Sequence, residues 1–369
     1  MAKKYQFQEQ FEDQVLRCVS CGFCQAVCPV YGLTRRPALN ARGKMLLLQE
    51  VMEGRFELDE DLVETLFQCT GCASCANSCP SGVNVPEVIQ AARRDMVSVG
   101  TCHPAFDGMN RVLKTADNIY KEIEPPEYLG GRKLNEPAEY IYFVGCVGAY
   151  REEEATEKTL DLLDHLKIDY TLIHEVCCAG VLEEVGYAAN LDKASQIIDR
   201  VKAVGAETII TGCPYCYRTF THRPQYSGFG EFGIKVLHMS QFLQAHDFGV
   251  TSDLKVTYHD PCDLGRHCGI YEEPRDTIKK IAPDYVEMEH HHAMSLCCGA
   301  GGGVRGAFPT NSLNMARRRL AEAEAAGADV VLTECNSCVH NLSNAKLRRQ
   351  NIEVFTTSQF ISHLLDGRG

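Results

Sequence analysis

Eighteen of the twenty cysteines in this chain fall into four ordered sets, and their spacing constrains the fold more than any other feature. Two sets have the spacing C-x2-C-x2-C-x3-C-P, and their members are Cys18, Cys21, Cys24 and Cys28, then Cys69, Cys72, Cys75 and Cys79. The other two each combine a single cysteine, an adjacent pair and a C-x2-C unit, and their members are Cys146, Cys177, Cys178, Cys213 and Cys216, then Cys262, Cys297, Cys298, Cys335 and Cys338. Because the spacings recur, the pattern indicates metal ligation rather than a disulfide scaffold.

The composition narrows the class of protein. A length of 369 residues suits two or three domains, and 45% hydrophobic residues supply a substantial core. The formal charge of −12 argues against nucleic acid as a partner, since phosphate binding needs clustered Lys and Arg. The first residues lack the apolar core of a signal peptide, and no run approaches the ~18 apolar residues of a membrane helix. We therefore expect a cytoplasmic protein without a membrane span, peripheral at the inner membrane face only through a partner.

The two four-cysteine sets predict a pair of [4Fe–4S] cubane clusters. In two-cluster proteins with this motif, the fourth cysteine of each set binds the other cluster. We therefore assign Cys18, Cys21, Cys24 and Cys79 to one cubane, and Cys69, Cys72, Cys75 and Cys28 to the other. The alternative is a pair of zinc sites, but zinc usually takes paired C-x2-C units without a third cysteine two residues on.

The segment between these two sets is predicted to be helical. Strong helix formers run from Asn40 to Glu53, and Gly54 is a plausible end for that helix. Residues 59–67 repeat the pattern with an apolar face. Residues 98–138 contain a further predicted helix near 105–120 and then Pro and Gly pairs, so they are predicted to form a connector.

The rest of the chain contains an internal duplication. Residues 205–213 resemble residues 327–335, and residues 234–242 resemble residues 352–360. The repeating unit is as long as a domain, so the pattern predicts two related domains rather than a solenoid.

Each half of the duplication alternates strand and helix signals. Strands are predicted at 140–144, 208–211, 255–258 and 330–333, with amphipathic helices at 152–167 and 311–326. This alternation predicts α/β domains with largely parallel sheets. The cysteines follow the carboxyl ends of predicted strands, where open α/β sheets place their sites.

The five-cysteine sets exceed what a cubane or a zinc ion needs, whereas a larger or irregular iron–sulfur cluster can use all five thiolates. This pattern resembles the cysteine-rich CCG domain of heterodisulfide reductases. It is also similar to the iron–sulfur subunits of glycolate and lactate oxidases and of anaerobic glycerol-3-phosphate dehydrogenase. The stretches at 258–267 (YHDPCDLGRH) and 296–305 (LCCGAGGGVR) look most like the D-type catalytic subunit of heterodisulfide reductase.

The resemblance covers nearly the whole chain and implies an α + α/β architecture. The expected domains are an α-helical ferredoxin domain with two [4Fe–4S] clusters (1–97), a connector (98–138), CCG domain 1 (139–250) and CCG domain 2 (251–369). In that family each complete CCG domain is taken to hold a noncubane [4Fe–4S] cluster. The chain departs from the family at Ala179, where CCG has glycine. One or two noncubane clusters are therefore expected, and zinc or an empty site is the alternative in CCG domain 1.

Several polar residues flank the second five-cysteine set and are candidates for catalytic roles. His259 and His267 are candidate proton donors for nascent thiolates. Arg266 and Arg305 are candidates for binding an anionic substrate. A structural hydrogen bond or a surface ion pair is the alternative for each. Two further cysteines, Cys102 and Cys268, match no set and are expected to be free thiols.

Two functional hypotheses follow from the resemblance. The first is a heterodisulfide-reductase-type subunit, in which electrons pass through two cubanes to the noncubane clusters and reduce a small disulfide, or a dithiol is oxidised in reverse. The second is a non-catalytic electron-transfer subunit that links a flavin dehydrogenase for glycolate, lactate or glycerol 3-phosphate to quinone. Expected partners are a flavoprotein or a membrane cytochrome b or quinone-reactive subunit.

Overall fold

A computed structural model describes residues 5–122, 126 and 129–367. The chain forms two compact units that do not follow its order. Unit 1 contains residues 1–110, 181–189 and 296–319, and unit 2 contains residues 111–180, 190–295 and 320–369. The domain boundaries expected from the sequence stay predictions.

The four-cysteine sets of unit 1 lie among helices, as the sequence predicts. Asn40 caps the helix after the first set by accepting a hydrogen bond from the Gly43 amide at 2.8 Å, and Asp59 caps the next helix. The predicted helices at 40–53, 59–67 and 105–120 are therefore confirmed with slightly different bounds. Helices of the first 116 residues are α1 (Gln6–Arg17), α2 (Phe23–Ala26), α3 (Pro29–Thr34), α4 (Ala41–Met52), α5 (Glu60–Phe67), α6 (Ser74–Asn77), α7 (Val85–Ser98) and α8 (Pro104–Ala116).

Two parallel four-stranded sheets with the same strand order form the framework of unit 2. The orders are β2-β1-β3-β4 and β6-β5-β7-β8. Every pairing is parallel, so the predicted duplication and sheet type are confirmed. The strands are β1 (Tyr140–Phe143), β2 (Tyr170–Thr171), β3 (Thr208–Thr211), β4 (Lys235–His238), β5 (Val256–His259), β6 (Tyr285–Val286), β7 (Val330–Thr333) and β8 (Glu353–Phe355).

Helices connect these strands as crossovers, which parallel pairing requires. The predicted helices at 152–167 and 311–326 are confirmed as α10 (Glu153–His165) and α18 (Pro309–Ala325). Helices of the remaining chain are α9 (Cys146–Arg151), α10 (Glu153–His165), α11 (Gly180–Glu184), α12 (Leu191–Val204), α13 (Pro214–His222), α14 (Gly228–Glu231), α15 (Met239–Gln244), α16 (Glu272–Ile281), α17 (Val304–Ala307), α18 (Pro309–Ala325), α19 (Asn336–Ala345) and α20 (Thr357–Leu365).

Both faces of the first sheet are buried, which explains its continuous apolar strands. Tyr142 and Ile210 face a core that also contains Val256 and Leu332 of the second sheet. Their neighbours along the strands, including Ile141, face a separate core beneath α12 and α13. The two halves of the duplication therefore share one apolar core within unit 2.

None of the helices in the part of the chain that the structure describes has both the length and the hydropathy needed to cross a bilayer.

Candidate metal centre

The first four-cysteine group lies in unit 1 around one small cavity. Its lining contains Cys18, Cys21, Cys24 and Cys79, the set that cross-ligation predicts. Burial raises the pKa of the Cys24 thiol, and the charges of the other three thiolates raise it further. Four thiolates held close together repel one another, and a cationic centre relieves that repulsion. These residues therefore fit an iron–sulfur cluster.

The second group has the same construction. Cys28, Cys69, Cys72 and Cys75 line another small cavity in unit 1. Burial raises the pKa of the Cys75 thiol well above its ordinary value, and the charges of Cys69, Cys72 and Cys28 add to this effect. The structure therefore brings together the two predicted sets, each with one cysteine taken from the other motif.

Two buried cations that the sequence analysis missed accompany this second group. Lys44 and Arg93 each keep only 1% of their surface exposed. Arg93 donates to the carbonyl oxygens of Cys69 at 2.7 Å and Leu66 at 2.8 Å. The signal for Lys44 was present, since it shares the apolar face of α4 with Met45.

The cysteines of the third set come together in unit 2. The Sγ atoms of Cys146 and Cys177 are 3.9 Å apart, and those of Cys178 and Cys216 are 3.6 Å apart. The contact with Cys177 raises the pKa of the Cys178 thiol to about 12, and burial contributes to the rise. Contacts with Cys178 and then Cys213 raise the pKa of the Cys216 thiol. This continuous group of sulfur atoms fits a centre that uses five thiolates.

Glu175 also belongs to this site, although the sequence analysis did not identify it. Its carboxylate accepts hydrogen bonds from the Val144 and Gly145 amides, the latter at 2.8 Å. Burial raises the pKa of Glu175 to about 8. The side chain holds the turn between β1 and Cys146, so it positions that cysteine.

Ala179 occupies the backbone conformation that the family fills with glycine. Its φ is +59°, and the equivalent Gly299 has φ +89°. A Cβ on Gly299 would also lie 2.5 Å from the Ser312 carbonyl oxygen, whereas Ala179 is accommodated with its methyl group buried. The departure from CCG therefore strains the backbone locally and leaves the five cysteines together.

The cysteines of the fourth set are divided between the two units. Cys262 follows β5 and Cys335 follows β7 in unit 2, with Cys338 in the first turn of α19. The predicted placement beyond the carboxyl ends of strands is confirmed for these residues. The pair Cys297 and Cys298 belongs to unit 1.

Within unit 1, the loop that carries this pair packs directly on the loop that contains Cys69 and Thr70. The Sγ of Cys297 is 3.7 Å from the Thr70 hydroxyl oxygen. A Cβ on Gly301 would lie 2.7 Å from the Thr70 carbonyl oxygen, and one on Gly302 would overlap the carbonyl oxygen of Cys69. The glycines therefore permit backbone-to-backbone contact between the two cysteine loops.

Within unit 2, the two halves of the duplication contact each other next to their cysteines. Arg218, two residues after Cys216, pairs with Asp263 at 2.9 Å. His340, two residues after Cys338, lies 2.7 Å from a carboxylate oxygen of Glu152. The two contacts run in opposite directions between the halves, and α9 also packs against α19, so the cysteine-bearing ends of the two sheets are joined.

The four predicted catalytic residues lie in different settings. His259 is the last residue of β5 and is buried. His267 is half-buried, and its backbone amide donates a hydrogen bond to the Cys262 carbonyl oxygen. Arg266 donates to the carbonyl oxygens of Ala293 and Ser295, so it braces the chain that leads to the Cys-Cys pair. Arg305 is half-buried in α17. Their catalytic roles stay predictions.

The two cysteines outside the four sets lie in different units. Cys102 contacts the Tyr187 hydroxyl at 3.5 Å in unit 1. In unit 2, burial raises the pKa of Cys268 to about 12, with the Asp263 charge as a further cause.

Comparison with known protein families agrees with this arrangement. Residues 14–83 match the model of the 4Fe-4S dicluster domain. Residues 140–221 and 256–343 each match the cysteine-rich domain called CCG. This chain therefore contains a 4Fe-4S dicluster domain and two CCG domains. Each CCG region contains the first three strands of one sheet, and the dicluster region contains both four-cysteine motifs.

Relatives of this CCG-domain protein include known redox subunits. The chain is 29% identical over 366 residues to the D-type subunit of dihydromethanophenazine:CoB–CoM heterodisulfide reductase from Methanosarcina acetivorans, with 89% of this chain and 88% of the relative covered. It is 24% identical to the probable glycolate oxidase iron–sulfur subunit of Bacillus subtilis, with 90% of each chain covered. The predicted resemblance to both groups is confirmed.

Among solved structures, a hypothetical protein from Helicobacter pylori has a similar fold. The TM-score is 0.64 at 12% sequence identity, with 98% of this chain and 75% of that chain covered. At this identity the likeness concerns the fold alone.

Proposed function

We propose that this chain is the disulfide-reducing, or thiol-oxidising, subunit of a multisubunit oxidoreductase of the heterodisulfide reductase type. The observation that carries the proposal is the presence of two complete five-cysteine sets on halves that contact each other next to their cysteines. Arg218–Asp263 and His340–Glu152 make these contacts in opposite directions. A passive electron conduit has no need of two such joined sites.

The electron balance is consistent with two sites. Reduction of one disulfide breaks the S–S bond, consumes two electrons and two protons, and yields two thiols. Iron–sulfur clusters supply the electrons singly when bound. In the proposed arrangement, two cubanes and two noncubane clusters are held by the eighteen cysteines of the four sets, and a small disulfide receives one electron from each five-cysteine site.

The residues of unit 1 support electron delivery to the second five-cysteine set. The cubane held by Cys28 and Cys69 would lie behind Thr70, which contacts Cys297. Direct backbone packing at Gly302 keeps that path short. We propose that electrons enter from a flavoprotein or a membrane quinone-reactive subunit, at the cytoplasmic side, and that His259, His267, Arg266 and Arg305 serve proton supply and substrate binding.

A non-catalytic electron-transfer role is the second candidate. The similarity to the glycolate oxidase iron–sulfur subunit favours it, because that similarity also extends over 90% of each chain. In this role the same clusters would pass electrons between a dehydrogenase and quinone, and zinc or an empty site in CCG domain 1 would be tolerated.

Metal content and a spectroscopic titration test the proposal. Two cubanes alone account for about 8 irons per chain, and two further four-iron clusters raise this to about 16. We expect about 16 irons in anaerobically purified protein, and a new paramagnetic signal when bis(2-hydroxyethyl) disulfide or its thiol is added during redox titration. Cys335→Ala should remove about four irons and abolish that signal.

Cys102→Ala is the matched control, because Cys102 is a cysteine outside the four sets. It should retain both the iron and the signal. An iron content near 8, or a full content with no response to the disulfide or the thiol, would favour the conduit and end the catalytic proposal.

A further inference from the structure

A fully buried lysine lies beside the second group of four cysteines. Lys44 is 1% exposed on α4, and its Nζ donates to the Leu39 carbonyl oxygen. The residue also lines the cavity that Cys28 and Cys69 share with the rest of their group. A buried charge is costly unless an opposite charge compensates it, so its surroundings must supply one.

The anions that face Lys44 are the thiolates of the cysteine group. Burial lowers the pKa of Lys44, and the charges of Cys69, Cys28 and Cys75 raise it, while Arg93 adds a like charge. In turn, the charge of Lys44 opposes the rise that burial causes in the pKa of Cys28. The compensating anion for this lysine is therefore the cysteine-bound centre itself.

The first four-cysteine group has a different electrostatic environment. Its cavity is lined by Arg42, which is half-buried, and its Cys21 is exposed. A charge near solvent is screened by water and salt, whereas a charge in the interior acts through a lower effective dielectric constant. The two groups therefore differ in how strongly a positive charge acts on them.

We infer that Lys44 raises the reduction potential of the second cubane above that of the first, and so directs electrons toward the loop that carries Cys297. Reduction adds one negative charge to a cluster, and a buried ammonium favours that added charge. With both clusters bound, one electron would leave the first cubane, which would be oxidised, and enter the second, which would be reduced. Thr70 then places the reduced centre beside Cys297. The inference rests on the proposed cluster content and adds a direction of flow to it.

Potentiometric titration with paramagnetic resonance detection tests this role on the full chain with its clusters. Lys44→Met should lower the potential of the second cubane and leave the first unchanged. We expect the equilibrium constant for transfer between the cubanes to fall at least tenfold, which for one electron is about 59 mV. Lys44→Arg, which keeps the charge, should retain most of the wild-type value.

Arg42→Met is the matched control, because it removes the cation at the first group. It should leave the second potential unchanged and shift the first by less than Lys44→Met shifts the second. Cys21→Ser assigns the signals, because it perturbs the first cubane alone. Equal shifts in both cubanes, or an unchanged second potential in a Lys44→Met protein with full iron content, would overturn the inference.

The wild-type protein supplies an independent test if Lys44→Met does not assemble its clusters. On stepwise reduction of the wild-type protein, the signal of the second cubane, which Cys21→Ser leaves intact, should appear first. The reverse order would also overturn the inference. Loss of disulfide chemistry with this order intact would instead contradict the proposed function, so the two failures are distinguishable.

Discussion

Gly302 offers the most direct test of the contact between the loop of residues 299–303 and the loop that contains Cys69 and Thr70. Its φ is +59°, and a Cβ at this position would overlap the Cys69 carbonyl oxygen and lie 2.8 Å from the Thr70 carbonyl carbon. These are backbone atoms, so no side chain can rotate away to make room. We predict that Gly302→Ala destabilises unit 1.

The expected magnitude has three parts. A left-handed conformation costs an L-residue roughly 1–2 kcal/mol. Alanine recovers roughly 0.4–1 kcal/mol by restricting the unfolded chain. Overpacking against immobile atoms adds about 1–3 kcal/mol. The free energy of unfolding should therefore fall by about 3 kcal/mol.

Gly100→Ala separates the backbone effect from the steric one. Gly100 has a similar positive φ of +83°, but a Cβ there would meet no atom within 4 Å. Its substitution should cost only about 1 kcal/mol. The difference of about 2 kcal/mol corresponds to a thermal midpoint about 4–8 °C lower for Gly302→Ala, measured anaerobically by circular dichroism. Equal midpoints would refute the close packing of the two loops.

Three further predictions concern unit 2. Burial lowers the pKa of His238 to about 3, so unfolding takes up a proton below the unfolded pKa of about 6.5. The free energy of unfolding should therefore fall by about 2 kcal/mol between pH 6.5 and pH 5, as measured by urea titration, and should fall by less in His238→Asn. Ala179→Gly should relieve the left-handed strain, raise the free energy of unfolding by up to about 1 kcal/mol and preserve iron content; a lower thermal midpoint would contradict this. A double-mutant cycle of Arg218→Met and Asp263→Asn should give a coupling of about 1 kcal/mol in urea unfolding, because the side chains are 15% and 16% exposed; additive effects would show that the pair contributes nothing.

Local sequence patterns were sufficient for most of the fold. The helix at α4 was predictable because the cap at Asn40 and the helix formers after it lie within one short segment. The strands β1 and β7 were predictable because each is a short apolar run, and the duplication related the two halves. The cysteine groups followed from spacing, since a C-x2-C-x2-C segment can only wrap one centre.

The environments of the charged residues depended on contacts between distant segments. Nothing local indicates that Glu175 holds the turn before Cys146, from 30 positions away. The approach of Cys297 to Thr70 spans 227 positions, and the Arg218–Asp263 pair spans 45. These contacts form only when helices and sheets pack, so pattern alone did not predict them.

Spacing along the chain decides which thiolates can share a centre, because covalent geometry limits how far neighbouring ligands can separate. The charge around each centre is a different quantity, because it depends on which distant side chains lose their water when the chain folds. The sequence grouped Cys28 with Cys69 through the cross-ligation of two-cluster motifs, and both residues line one cavity, whereas the burial of Lys44 beside them became apparent only in the folded protein.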